Sequence, residues 1–428
     1  MRQLRTELSR AAAIAAMLLG AACSGTSTDR APAPAASTAT VFEGGRVIVG
    51  DGSAPIEDAA FVVDAGRFVQ IGRRGEVQVP SGATRVDLAG KTVMPAIVDT
   101  HTHMPTTREQ LVDRLQQKAY YGVGAVASLG QDTGDVPFQV REEVVTGRAL
   151  LRTAGRGITM PEPGRTEAPY WVRNEAEARK AVQELAARKV DFVKIWVDDR
   201  DGKYKKLGPD LYGAIIDEAH KNGLRVTAHI FTLEDAKGLL RAGLDAFAHS
   251  VRDRDIDEQG LALFKQRANL VVGPNLPDRG VAADMSWLGD SVSADELKKL
   301  QEGATDRPEA QKAFGIQARN LAKIHAAGIK IVLGTDGGVP WSHHVEMADM
   351  VAAGMTPSDV IVAATKNSAE FLRLDDAGTV AAGKSADFLV LDANPLDDIA
   401  NTRKISGVYL RGAAIDRPAM RARMTGMK

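Results

Sequence analysis

From about Val93 onward the chain alternates short apolar, β-rich runs with amphipathic helical patterns, and it does so eight times. Two parallel strands can be neighbours only through a long crossover, so alternation of this kind points to βα units and a parallel sheet. The runs end near Val98, Ala127, Leu151, Trp196, Thr227, Ala248, Val272 and Leu333. Helical patterns lie between them, including Glu175 to Ala187, Pro209 to Asn222, Leu233 to Ala242 and Pro308 to Ala327. Gly223 and Gly243 stand just past two of these, where a helix end favours glycine. Eight units over about 270 residues have the size of a (β/α)8 barrel.

The flanks read differently. Between Val41 and Val93, Gly45 to Val49, Ala60 to Val63 and Phe68 to Ile71 are short strands separated by glycine-bearing turns. Strand character returns after the barrel at Gly378 to Val380, Ala386 to Leu391 and Val408 to Leu410. The expected architecture is α/β: a (β/α)8 TIM barrel over residues 94–374 and a small β domain built from residues 41–93 and 375–428. The long polar stretch from Pro274 to Asp306 follows the seventh run. Long βα connections sit over the active face of a barrel, so it is expected to act as a lid.

The N-terminus has the form of a targeting segment. Arg2, Arg5 and Arg10 precede an apolar stretch from Ala11 to Ala22, too short to span a bilayer, which needs about 20 residues. It runs into Leu19-Gly20-Ala21-Ala22-Cys23, and Cys23 is the only cysteine in 428 residues. Residues 1–22 resemble a bacterial lipoprotein signal, which implies lipidation of Cys23 after cleavage. Residues 23–40, rich in Ser, Thr, Ala and Pro, then read as a flexible tether. The expected location is the periplasmic space or outer membrane of a Gram-negative-type cell, with membrane attachment only through the lipid. A net charge of -1 argues against nucleic acid as a partner.

The chemistry is carried by strand ends. His101 and His103 are spaced i, i+2 after the first run, so both side chains can point the same way from a strand. Lys194 lies in the fourth run, His229 and His249 close the fifth and sixth, and Asp336 follows the eighth. Barrel enzymes place reacting groups at the C-terminal ends of strands, so all six can meet in one pocket. Imidazoles and a carboxylate without thiols suit zinc or a similar divalent ion.

These residues, with Ala353 to Pro357, Ala363 to Thr365 and Gly383 to Phe388, resemble the amidohydrolase superfamily, in particular its imidazolonepropionase-like and dipeptidase-like members. The resemblance covers nearly all of the chain from Val41. It implies two divalent metal ions: His101, His103 and Asp336 on the first, His229 and His249 on the second, and a carboxylated Lys194 bridging them. It also allows a homo-oligomer. Ala96 before the HxH and the Phe247-Ala248-His249-Ser250 segment depart from the family pattern without removing a ligand.

A metal-activated water would attack the substrate carbonyl, with Asp336 as general base and then general acid. The expected reaction is cleavage of an amide C–N bond in a small molecule, a dipeptide or N-acyl amino acid. Cyclic amides, carbamates, ureas and lactones are the alternative substrates, and a non-catalytic binding lipoprotein is the alternative class. Arg156, Tyr204, His343 and His344 are candidate substrate contacts. The Asp198-Asp199-Arg200-Asp201 run reads as a solvated loop, and His220 and His325 as surface or packing residues.

Overall fold

The computed structural model describes residues 38–426. Cys23, the expected signal and most of the expected tether lie outside the described residues. The β domain is a sheet in the order Ala413–Ala414, Ile405–Leu410, Phe388–Leu391, Thr92–Pro95, Thr40–Val47, Ile56–Asp64, Arg67–Arg73, with Thr84–Asp87 paired to Thr40–Val47. The two ends of the described chain meet where Phe388–Leu391 pairs antiparallel with Thr92–Pro95. Alternating large apolar residues hold this joint. The Phe388 ring stacks on Tyr409 at 4.5 Å and meets Phe42 and Phe61 edge-on at 5.2 and 5.3 Å. Gly378 to Val380, expected as a strand, is irregular and contributes one ladder-like bond, Val380 N–H to Val49 O at 2.9 Å.

The barrel begins immediately afterwards. Ile97–Thr102, Val123–Ser128 and Leu150–Thr153 pair in parallel, in that order. Val193–Val197, Val226–Ile230, Ala246–Ala248, Val271–Gly273 and Lys330–Ile331 form a second parallel arc. Backbone bonds close the two arcs into one barrel, Thr100 N–H to Leu333 O at 2.9 Å on one side and Asp191 N–H to Thr153 O at 3.0 Å on the other. The helices match the sequence patterns to within a residue or so, for local reasons. Asn174 caps Glu175–Ala187 by accepting from Glu177 N–H, and Glu177 reaches back to Arg173 N–H at 2.7 Å. Gly243, at φ 94°, ends Leu233–Ala242 in the left-handed conformation.

Two apolar layers follow from the strand alternation. Ile97, Val123, Val126, Ile195, Val226 and Ala228 belong to one cluster with helix residues such as Leu185, Ile215 and Leu239. Val98, Ala125, Ala127, Ala246, Ala248 and Val271 cluster together with Phe371 and Leu372. Among the described residues no helix is long and apolar enough to cross a membrane.

The seam between the chain ends should carry much of the stability of the β domain. Phe388→Ala is expected to cost about 3–5 kcal/mol, read as a lowered denaturant midpoint; an unchanged midpoint would show that the seam is dispensable.

Candidate metal centre

The strand ends bring the candidate groups together. His101 lies in Ile97–Thr102 and His103 just beyond it; Lys194 lies in Val193–Val197, His229 in Val226–Ile230, and His249 directly after Ala246–Ala248. Asp336 is the hub. Its Oδ1 lies 2.9 Å from His103 Nε2 and 3.1 Å from His101 Nε2, and its Oδ2 lies 3.4 Å from His249 Nε2. The His249 ring stands 5.2 Å from that of His101 and 4.6 Å from that of His229. His101, His249 and Asp336 each offer a ligand atom within 4.8 Å of the others.

Neighbouring residues set the tautomers. Asn275 Oδ1 faces His101 Nδ1 at 3.1 Å and accepts a hydrogen bond from Nδ1–H, so Nε2 keeps its lone pair. Asp198 Oδ2 faces His229 Nε2 at 2.7 Å, which leaves the lone pair on Nδ1 in the same way. Asp99, fully buried beneath His101, receives the Lys118 ammonium at 2.9 Å, Thr335 Oγ1–H at 2.9 Å and Thr335 N–H at 3.2 Å. It therefore clamps the first strand to the loop that carries Asp336. Gly334 is required in that loop, because a Cβ there would stand 2.9 Å from His101 Cβ and 2.7 Å from Asn275 Nδ2. Asn275 (φ 45°), Asp336 (φ 50°) and His249 (φ 149°) hold conformations that L-residues rarely adopt. Such strain is stored where surrounding bonds over-determine the backbone.

Burial governs the electrostatics. It lowers His101 to about 4 and His229 to about 3, with Lys194 adding to both, and it lowers His249 well below the usual range. All three rings are thus in the neutral form that binds metal. Burial also brings Lys194 down to about 7. For Asp336, burial pushes upward, but His101, His103 and His249 outweigh it and hold the carboxyl below the usual carboxylate range.

Buried polar atoms normally find a partner. Here His103 Nδ1, both nitrogens of His249 and Lys194 Nζ have none, and His101 Nε2 lies near Asp336 without hydrogen-bond geometry. A cluster of neutral imidazoles with unsatisfied nitrogens around an ionised carboxylate fits a divalent cation such as zinc. His101, His103 and Asp336 face it from one side and His229 and His249 from the other, with Lys194 beside them.

Several expected roles change. Arg156 Nε donates to Ala168 O at 2.6 Å and its Nη2 to Pro169 O at 3.1 Å, while Tyr204 Oη donates to Pro163 O at 3.1 Å. Both side chains therefore pin the loop around residues 163–169, Arg156 through Nε and Nη2 and Tyr204 through its hydroxyl. His343 and His344 are buried and bonded to the Tyr121 carbonyl at 2.9 and 3.1 Å, so they pack the helix Ser342–Ala352 and do not face substrate. Asp198 is no solvated loop residue, since it is buried against His229. The Pro274 to Asp306 stretch starts at the site through Asn275, but Leu288, Trp287 and Leu297 pack onto Tyr120, Tyr121, Trp341 and Met420. It is a packed strap, not a free lid.

Sequence reading missed Asp99, Lys118, Asn275, Arg252 and Glu346. Asn275 had a visible signal, a polar residue directly after the seventh apolar run. Glu346 had none; it lies far along the chain and accepts Leu276 N–H at 3.0 Å, fixing the segment that carries Asn275.

A closed barrel with imidazoles and a carboxylate gathered at its strand ends defines a barrel hydrolase. Residues 92–415 match the amidohydrolase family, and the chain belongs to it; it is a hydrolase acting on carbon–nitrogen bonds. The imidazolonepropionase of Deinococcus radiodurans is 27% identical over 391 residues, spanning 84% of this chain and 92% of that protein. The structure of a Xaa-Pro dipeptidase with bound methionine shares the fold at a TM-score of 0.71 and 21% identity, covering 88% of this chain and 99% of that one. Molinate hydrolase does so at a TM-score of 0.71 and 22% identity, covering 90% and 96%.

The Asp99–Lys118 pair yields a stability prediction. Lys118→Met strands a buried carboxylate and should destabilise the chain by about 3–5 kcal/mol in urea denaturation. Adding Asp99→Asn should recover part of that loss, and a purely additive double variant would rule out the ion pair as the cause.

Proposed function

We propose that this protein is a metal-dependent amidohydrolase that cleaves a dipeptide or an N-acyl amino acid. The observation that carries the reading is the set of buried, unpartnered nitrogens of His101, His103, His249 and Lys194 around the Asp336 carboxylate. Two divalent ions, zinc being the best match to the donors, would be held by His101, His103 and Asp336 on one side and by His229 and His249 on the other, with carboxylated Lys194 between. When bound, such ions activate water and polarise a carbonyl. The unpartnered, fully buried Lys194 Nζ supports the carboxylation, because an ammonium there would face cations in a dry cavity.

The residues of the chain supply the rest. Asn275 and Asp198 fix the rings of His101 and His229 so that one nitrogen of each stays free. Asp336, whose side chain at 38% is more exposed than that of His103 at 24%, can take a proton from water on a carboxylate oxygen and return it to the leaving nitrogen. The imidazolonepropionase relative favours a second reading, a cyclic amide, to be assayed beside the first.

Two experiments test these points. Asp336→Asn should lower kcat at least about 100-fold, in keeping with loss of a general acid–base, and chelation should abolish turnover that added zinc restores. Turnover surviving both treatments would discard the mechanism. We also propose that the chain is exported and held at the membrane through lipidated Cys23. Cys23→Ser should move it from the membrane to the soluble fraction, and retention in the membrane would discard the lipid anchor.

A further inference from the structure

Arg252 follows the sixth barrel strand, close behind His249. Its backbone N–H donates to Phe231 O at 2.9 Å, which ties it to the end of the fifth strand beside His229. Its Nε and Nη2 are buried without a hydrogen-bond partner, and it forms no ion pair among the described residues. The contrast with its neighbour is informative. Arg200 is neutralised by Asp198 at 2.6 Å and Glu162 at 3.2 Å, and only its Nη2 remains buried and unpartnered. Arg252 lies within electrostatic reach of Lys194, His229 and His249, and also of the Asp336 and Asp198 carboxylates.

A guanidinium keeps its charge in any protein environment. Arg252 is partly buried, and the Asp336 and Asp198 carboxylates favour its charge from a distance, yet neither takes a hydrogen bond from its two buried N–H groups. Leaving such donors unmet is costly, so they call for an acceptor in the working state. The planar fork of Arg matches a carboxylate by paired hydrogen bonds, which gives orientation as well as charge. The Phe231 ring lies 6.0 Å from the Arg252 guanidinium and is 38% exposed, an apolar surface next to the cation.

We propose that Arg252, assisted by Arg200 Nη2, binds the free carboxylate on the amine portion of the substrate, and that Phe231 supports the adjoining apolar side chain. This rests on the amide-hydrolase reading above and narrows it to amides of amino acids whose α-carboxylate is unblocked. The carboxylate would anchor the substrate so that its amide carbonyl reaches Asp336.

The test uses the zinc-loaded chain with N-acetyl-methionine and glycyl-methionine, each beside its carboxamide-capped analogue. Wild type should prefer the free carboxylates. Arg252→Met should raise their KM about 10- to 100-fold, as expected for a hydrogen bond to a charged group, and so collapse the preference. Arg252→Lys should restore part of it, and zinc content should stay unchanged. If wild type shows no preference for a free carboxylate, the substrate reading fails. If the preference exists and survives Arg252→Met, the assignment of Arg252 fails while the substrate reading stands. An equal loss of kcat on free and capped substrates, with lost zinc, would instead make Arg252 a partner of modified Lys194 and overturn the proposal. If no substrate turns over, calorimetry with methionine decides: binding lost in Arg252→Met supports the assignment, and no binding to wild type overturns it.

Discussion

The fully buried ion pair between Asp99 and Lys118 is the constraint on which the centre depends. Asp99 sits inside the first barrel strand, where an isolated carboxylate would be costly. The ammonium from the first barrel helix and the Thr335 hydroxyl and amide offset that cost. Because Thr335 belongs to the loop after the eighth strand, one carboxylate joins the first barrel strand to the last. Asp336 N–H then donates to His101 O at 2.8 Å, completing the seam. The seam that closes the barrel is also what brings Asp336 to His101 and His103.

Polar groups around this seam divide into two kinds. Asp99, Asp198 and Glu346 have partners, as does Asn275 through its Oδ1, and they orient the strand ends and imidazoles. The nitrogens of His249, Lys194 Nζ and the Nε and Nη2 groups of Arg252 lack them. The first kind is scaffold, and its satisfied bonds hold the strained backbone at Asn275, His249 and Asp336. The second kind is where an ion or a substrate can be recognised, because binding there removes a penalty already present in the fold.

How far the sequence could be read depended on whether a residue's role was local. The strands and helices followed from apolar periodicity and caps, as at Asn174 and Gly243. His101, His103, Lys194, His229, His249 and Asp336 stood out because a barrel exposes strand ends on one face. Arg156, Tyr204, His343 and His344 were misread for one common reason: each has a polar head of suitable chemistry in a suitable connection. Nothing local reveals that a backbone carbonyl at residue 168, 163 or 121 will take up that head. Asp198 failed in the opposite direction, as a charged run that looked solvated but begins with a residue turned toward His229.

The eightfold alternation, the barrel it implies and the identity of the candidate ligands can be read along the chain. These depend on side-chain period and residue type, which are properties of short segments. Which polar groups are satisfied and which are not emerges only when distant segments meet in the fold. The pairing of Lys118 with Asp99, the role of Asn275 in orienting His101, and the unmet N–H groups of Arg252 each depend on chain segments far apart in sequence. Burial gives those contacts their weight: an N–H group at the surface is hydrated, whereas the buried Nε and Nη2 of Arg252 need an acceptor.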